Sequence, residues 1–455
     1  MVQLVFSRFL VISTVLLLTG ALVVAAAGRR ATGTAIATTP SETSTGIVDA
    51  APLAPTPTPA RSPETTPAAS PTSSVAPSQS VTHTVTAPPS PGQSPPATAS
   101  PTATPLPATA SPSPAPPPRT ATIAFTGDLI PHTSVMRAAD EATADGWDFR
   151  PMFDDVRPIL SGTDLAICHL ESPISADDTD LGAYPTFNGP RALVSAIADA
   201  GYDGCSTASN HSFDRGADGV HATLDAFDAH GLLQAGMARS ADEDRAPVLH
   251  DANGITVAHL SATYWLNGFE MPSDEPWLVD LVEPTAILAE ARDARAAGAE
   301  FVVLSLHAGT EYESQPSVDQ VRWVAELLPS PDIDMVVGHH AHVVQPIDVI
   351  DDEWVVYGLG NFLSSQSDAC CTAAAQDGVI TTVSLQERDD ASIAVVGIAS
   401  TPTWVDRAGG FVIRVATAPP PRPDLAAALA DSAARTVAVV GSRLGEPDGV
   451  TFSSS

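Results

Sequence analysis

Ala121-Thr122-Ile123-Ala124-Phe125-Thr126-Gly127-Asp128 is an apolar, strand-forming run that stops on a glycine and a carboxylate. β-Branched and aromatic residues suit a pleated, buried surface, so the run predicts a strand that delivers Asp128 at its end. The same form recurs downstream. Leu165 to Ile167 is apolar and leads to Glu171. A short strand near Tyr202 to Thr207 leads to Asn210-His211, Phe301 to Leu306 leads to His307, and Ile333 to Val337 leads to His339-His340 and His342.

Between these strands the periodicity changes. Arg191 to Ala200 places Leu193, Ile197 and Ala200 on one helical face and stops at Gly201. Val220, Leu224 and Phe227 have helical spacing up to Gly231. Pro284 to Ala297 and Val318 to Leu328 also read as helices, and Ile255 to Leu260 as another strand. Val343 to Val349 and Trp354 to Tyr357 read as antiparallel strands around Asp351-Asp352. Strands alternating with helices predict an α/β domain with a largely parallel sheet. In such sheets ligands bind beyond the carboxyl ends of the strands. Asp128, Glu171, Asn210, His211, His307, His340 and His342 are all predicted there, and the sequence points to one shared site.

Outward from this core the composition shifts. Phe9 to Ala27 is an uncharged apolar run flanked by Arg8 and by Arg29-Arg30, so residues 1–30 read as a signal peptide or a transmembrane anchor. Residues 31–119 are rich in Pro, Ser, Thr and Ala and lack aromatic residues. Such a tract cannot bury enough apolar surface to offset its ordering entropy, and is expected to be a disordered stalk. The expected location is extracytoplasmic, with membrane attachment through the N-terminal segment, or secretion after cleavage. The globular domain is assigned to residues 120–416, and 417–455 to a tail with one possible helix over Leu425 to Val440.

The 455 residues carry a net charge of −32 with no lysine, which disfavours nucleic acid because that binding depends on neutralising phosphates with cations. Cys168, Cys205, Cys370 and Cys371 form no CxxC pair, so a thiolate zinc site is not expected. An exported chain would permit disulfides; the spacing leaves their connectivity open, with free buried thiols as the alternative for Cys168 and Cys205.

Carboxylates, an amide oxygen and imidazoles together suit hard to borderline divalent ions such as manganese, iron or zinc. Asn210 is either a metal ligand or the cap of a turn, and His211 is the candidate catalytic proton carrier. Glu311 either orients an imidazole or caps its loop. Asn361, in Gly358-Leu359-Gly360-Asn361-Phe362, either supports the site or holds its turn. His132, four residues after Asp128, is a further candidate for the metal shell. His169 and Glu171 share a side of their strand at spacing two.

Taken in order, Phe125-Thr126-Gly127-Asp128, Leu170-Glu171-Ser172-Pro173, Ser209-Asn210-His211-Ser212-Phe213-Asp214-Arg215-Gly216, His307 to Tyr312, Gly338-His339-His340-Ala341-His342 and Tyr357 to Phe362 resemble the CapA family of capsule synthesis. The resemblance covers roughly residues 120 to 365. It implies a calcineurin-like metallophosphoesterase-type fold, a four-layer αββα sandwich. It also implies a metal centre of one or two divalent ions held by Asp128, Glu171, Asn210, His307, His340 and His342, with His211 handling the proton. Arg215, Glu311, Asn361 and His132 are then the supporting or substrate-contacting candidates. Two departures stand out. Asp128-Leu129-Ile130 lacks the Asp-x-His start of typical phosphoesterases, and Glu171 stands where they have a bridging Asp. The implied function is a metal-dependent hydrolase of capsule or poly-γ-glutamate biosynthesis or export, acting on an anionic cell-surface polymer or a phosphate ester. The alternative is a non-catalytic, polymer-binding part of the capsule synthesis machinery.

Overall fold

The computed structural model describes residues 116–144, 146–444 and 450–452. The expected leader at 1–30 and nearly all of the tract at 31–119 lie outside them.

The described residues form two sheets. In chain order, β1 (Thr120–Leu129) is followed by α1 (Thr133–Glu141), α2 (Arg157–Leu160), β2 (Leu165–Leu170), α3 (Ala192–Ala200), β3 (Gly204–Ser206), α4 (Gly216–His230) and β4 (Leu233–Ala235). These four strands are parallel neighbours. After α5 (Ala241–Asp244) the chain enters the second sheet with β5 (Leu249–Ala252) and β6 (Ile255–Thr263). It continues through α6 (Pro284–Ala296), β7 (Phe301–His307), α7 (Val318–Leu327), β8 (Met335–His339), β9 (Ile347–Ile350) and β10 (Glu353–Val356). The order across that sheet is β5-β6-β7-β8-β10-β9. The chain then returns to the first sheet with β11 (Asn361–Leu363), β12 (Asp377–Glu387), β13 (Ile393–Asp406) and β14 (Val412–Val415). Finally α8 (Ala426–Val440) precedes β15 (Val450–Phe452), which pairs with β13.

The alternation of side chains along a strand sorts the layers. Ile123, Phe125, Leu165 and Ile167 of the first sheet meet Val257, Phe301, Val303 and Val337 of the second. Their in-between neighbours face outward: Ala124, Ala166 and Cys168 pack on Leu193, Ile197 and Phe227 of α3 and α4. On the far side Leu260, Val302 and Leu304 pack on Ile287, Ala291 and Val324 of α6 and α7. The result is helix, sheet, sheet, helix, the four-layer sandwich. Each large side chain so buried contributes roughly 1.5–3 kcal/mol.

The largely parallel sheet is therefore corrected to two sheets, both of them mixed; in the second, β5 runs antiparallel to β6 and β9 to β10. β12 runs antiparallel to β1, and β13 antiparallel to β12. This long hairpin closes the side of β1 away from β2. α8 lies on β12 and β13, with Leu425 and Leu429 against Ala416 and Trp404.

Cys168 and Cys205, opposite each other on β2 and β3, are disulfide-bonded, as are the neighbours Cys370 and Cys371. The free-thiol alternative for Cys168 and Cys205 falls away. Among the described residues, no helix is long and apolar enough to cross a membrane.

Candidate metal centre

The site forms where the central strands of both sheets end. Asp128 sits near the end of β1 beside Asn361 of β11, with its backbone N–H donating to Gly360 O at 2.9 Å. That approach needs Gly127, where a Cβ would overlap the Gly360 carbonyl. Gly338 does the same on β8, where a Cβ would overlap the Tyr357 carbonyl. β2 supplies His169 and leads to Glu171, β7 supplies His307, and β8 supplies His339, which is in register with His307. Beyond β8, His340 and His342 take φ of 86° and 55°. Left-handed backbone is unfavourable for non-glycine residues, so this turn is held by its surroundings, a situation typical of functional sites.

Asp128, His169, Glu171, His307, His339 and His342 are all buried. Three sets of them bring one ligand atom each within 4.8 Å of one another: Asp128, His169 and His339; His169, Glu171 and His307; Asp128, Glu171 and His342. His342 Nδ1 lies 3.1 Å from Asp128 Oδ2, and its Nε2 lies 3.7 Å from Glu171 Oε1. His339 Nδ1 approaches Asp128 Oδ1 at 3.4 Å, and His307 Nε2 approaches Glu171 Oε1 at 3.9 Å.

Burial pushes Glu171 well above the ordinary carboxylate range, only partly opposed by His342. Burial also acts on Asp128, but its contacts with His339 and His342 win and hold it below that range. His342 is moved down by burial and up by Glu171 and Asp128, ending at about 9. Burial keeps His169 and His307 well below the usual imidazole range, hence neutral. These rings lie within hydrogen-bond reach of one another and their neighbours: Ser206 Oγ meets His169 Nδ1 at 2.8 Å, His169 Nε2 meets His307 Nδ1 at 2.9 Å, and His307 Nε2 meets Asn210 Oδ1 at 2.9 Å.

Asp128 Oδ1, both carboxylate oxygens of Glu171 and His339 Nδ1 are buried without a hydrogen-bond partner among the described residues. Leaving carboxylate oxygens buried and unpaired costs several kcal/mol. One or two divalent cations would answer these atoms, and a set of imidazoles, carboxylates and an amide oxygen suits manganese, iron or zinc. The residues present fit such an ion.

A cleft of about 650 Å³ opens over this floor, lined by Glu171, His342 and His211 among others. His211 Nδ1 lies 2.8 Å from Asp214 Oδ2, and its ring packs edge-on against Phe187 at 4.6 Å. The carboxylate holds the proton on Nδ1 and leaves Nε2 for the cleft.

The other expected residues divide. Glu311 and His132 line the cleft. Burial takes His132 down to about 4, and its Nδ1 accepts from Ser365 N at 3.3 Å. Asn361 holds its turn, donating to Ala375 O at 2.8 Å and Gln366 Oε1 at 2.9 Å, while its Oδ1 is buried beside Asp128's strand with no donor among the described residues. Arg215 is turned to structure instead: its Nε donates to Phe187 O at 3.0 Å and it pairs with Asp180. His340, expected as a ligand, falls outside the three donor sets; its Nε2 lies 3.1 Å from Tyr264 OH. His339 belongs to one of those sets, and His340 Nδ1 is likewise buried without a hydrogen-bond partner among the described residues.

The reading of the sequence passed over several residues. His169 had a signal, its spacing of two from Glu171. Asp214 had one too, three residues after His211. His339 enters a donor set only with the strand register in hand. Asn267 and Tyr264, on the loop after β6, carried none; Asn267 Nδ2 reaches His211 Nδ1 at 3.2 Å.

Two facing sheets lie between helices, with imidazoles and carboxylates gathered where their strands end. The chain belongs to the bacterial capsule synthesis protein PGA_cap family, whose profile matches residues 122–366, more than half of the 455. It is 28% identical over 255 residues to "Capsule biosynthesis protein CapA" of Bacillus anthracis, covering 54% of this chain and 60% of that one. It is 27% identical over 249 residues to "PGA biosynthesis protein CapA" of Bacillus subtilis strain 168, covering 53% and 63%. The chain thus spans less than two thirds of the length of either relative. Among solved structures, calcineurin-like phosphoesterase YfkN from Bacillus subtilis matches at 15% identity with a TM-score of 0.35, covering 70% of this chain and 97% of that one. A putative 5'-nucleotidase from Staphylococcus aureus matches at 14% identity with a TM-score of 0.41, covering 69% and 58%. Likeness at that level supports no inference about chemistry.

Proposed function

We propose that this chain is an extracytoplasmic, metal-dependent hydrolase of capsule or poly-γ-glutamate biosynthesis or export, attached to the membrane through residues 1–30 or released by their cleavage. Its substrate is an anionic cell-surface polymer or a phosphate ester. The observation that carries this is the set of orphaned oxygens on Asp128 and Glu171 beside His339 and His342, at the floor of a cleft that also holds His211.

Asp128, His169, Glu171, His307, His339 and His342 would hold one or two divalent ions, with Asn210 contributing its amide oxygen. Such an ion supplies Lewis-acid chemistry toward a phosphoryl or acyl oxygen. The chain supplies the rest. His211 Nε2 faces the cleft and moves a proton to or from the reacting oxygen or nitrogen, while Asp214 keeps the ring oriented. Phe187 packs on that ring and limits the water that reaches it. Tyr312, whose hydroxyl meets Gln366 Nε2 at 3.1 Å, and Glu311 complete the rim.

The test is elemental analysis of the purified chain together with turnover of a generic phosphodiester and of a γ-glutamyl amide. Bound manganese, iron or zinc and turnover that His211→Ala abolishes support the reading. Wild-type protein that binds metal but turns over neither substrate leaves the polymer-binding component as the function, and protein that takes up no divalent ion removes both.

A further inference from the structure

An acidic protein that handles an acidic substrate needs local positive charge in its cleft, from a metal or from arginine. The two arginines nearest the sequence motifs do not serve. Arg191 pairs with Asp178, and Arg215 is spent on Asp180 and the Phe187 carbonyl. The guanidinium that does line the cleft is Arg407, on the turn that follows β13. It has no carboxylate partner among the described residues, in contrast to Arg191, Arg215 and Arg414. The adjacent carboxylate, Asp406, is already engaged: it accepts from Gly409 N at 2.9 Å and from Arg414 Nη2 at 3.1 Å. Arg407 Nη1 donates to Ser367 Oγ at 2.6 Å, which fixes the side chain. Ser367 is itself held, its carbonyl accepting from Cys370 N at 3.2 Å and Cys371 N at 2.9 Å. Arg407 Nε is buried and has no acceptor among the described residues.

A guanidinium oriented at one nitrogen and unpaired at another, in a cleft of a strongly acidic chain, is matched to an oxyanion. We propose that Arg407 anchors a second negative group of the substrate, a carboxylate or a phosphate, apart from the group handled over Glu171 and His342. This rests on the function proposed above and narrows it: the substrate is an ester or amide that carries an additional oxyanion. A neutral ester would leave Arg407 unanswered.

The experiment is calorimetric titration of the full chain, in manganese-containing buffer, with a short γ-linked glutamate oligomer and separately with inorganic phosphate. Wild type is compared with Arg407→Gln and Arg407→Lys. The expected result is binding weakened about tenfold or more in Arg407→Gln for at least one ligand, with Arg407→Lys between, because lysine keeps the charge and loses the fork. Loss confined to the oligomer identifies a carboxylate, and loss confined to phosphate identifies a phosphate. Equal binding by wild type and Arg407→Gln overturns the proposal, as does wild type that binds neither ligand at millimolar concentration. Loss of metal content in Arg407→Gln also overturns it, since it would show a structural role. Absence of metal or turnover in the wild type is read in its own assays, and so counts against the hydrolase and not against Arg407.

Discussion

The two ends of β1 make opposite use of the same materials. Just before its start, Arg119 joins Glu300, beside β7 of the second sheet, to Glu387 of β12 in the first, at 2.7 Å and 3.0 Å, and donates to Gly254 O at 2.8 Å. One guanidinium there answers two carboxylates, and the groups remain partly exposed. Near its other end, Asp128 and Glu171 also draw the two sheets together, but they are buried and carry oxygens that nothing in the described residues satisfies. The closed end is a clasp. The open end holds its carboxylates at a cost in stability, which marks it as a place for a ligand.

That contrast can be broken at either end. The largest effect is expected from His211→Ala, which should lower turnover by about 10²–10⁴-fold with metal content unchanged, measured by steady-state kinetics beside elemental analysis. Glu171→Gln should weaken metal binding by about a hundredfold or more while leaving the melting temperature of the metal-free protein unchanged or slightly higher, because burial already pushes that carboxyl toward its neutral form. A fall in that temperature would mean the carboxylate is satisfied after all. Stripping metal with a chelator should destabilise the protein by about 2.7 kcal/mol relative to a solution at a hundred times the dissociation constant, read by calorimetry. The smallest effect belongs to the clasp. Arg119 holds Glu300 and Glu387 below their ordinary range through hydrogen bonds, so their contribution is present above the usual glutamate range and is lost as pH falls through their lowered values. Arg119→Ala should flatten that acid limb of a melting-temperature profile and leave metal content alone. Because these groups are exposed and screened, the change should be slight.

Much of this was legible from residues alone. A strand ending on a polar group can be read from an apolar run that stops, and that form located Asp128, Glu171, Asn210 and His307 correctly at strand ends or just beyond them. The mixed first sheet was not legible as such. β12 pairs with β1, and β13 only with β12 on that side, and pairing between β1 and β12, segments hundreds of residues apart, leaves no mark on either one's local pattern. The choice between His339 and His340 was not legible for a related reason. Side chains alternate along a strand, so one of two neighbours must face the rim, but which one depends on register with His307 and on where the strand stops. Arg407 was invisible because its meaning is relational: it matters that Asp406 beside it is already taken.

The turn at His340 and His342 has a practical consequence for anyone redesigning this protein. Its backbone sits where a routine search for sturdier sequences would place glycine, at positions 340 and 342 alike. Such a change would ease the local geometry and strip away two of the imidazoles that crowd the cleft floor. The fold would come out firmer and, at this one corner, empty.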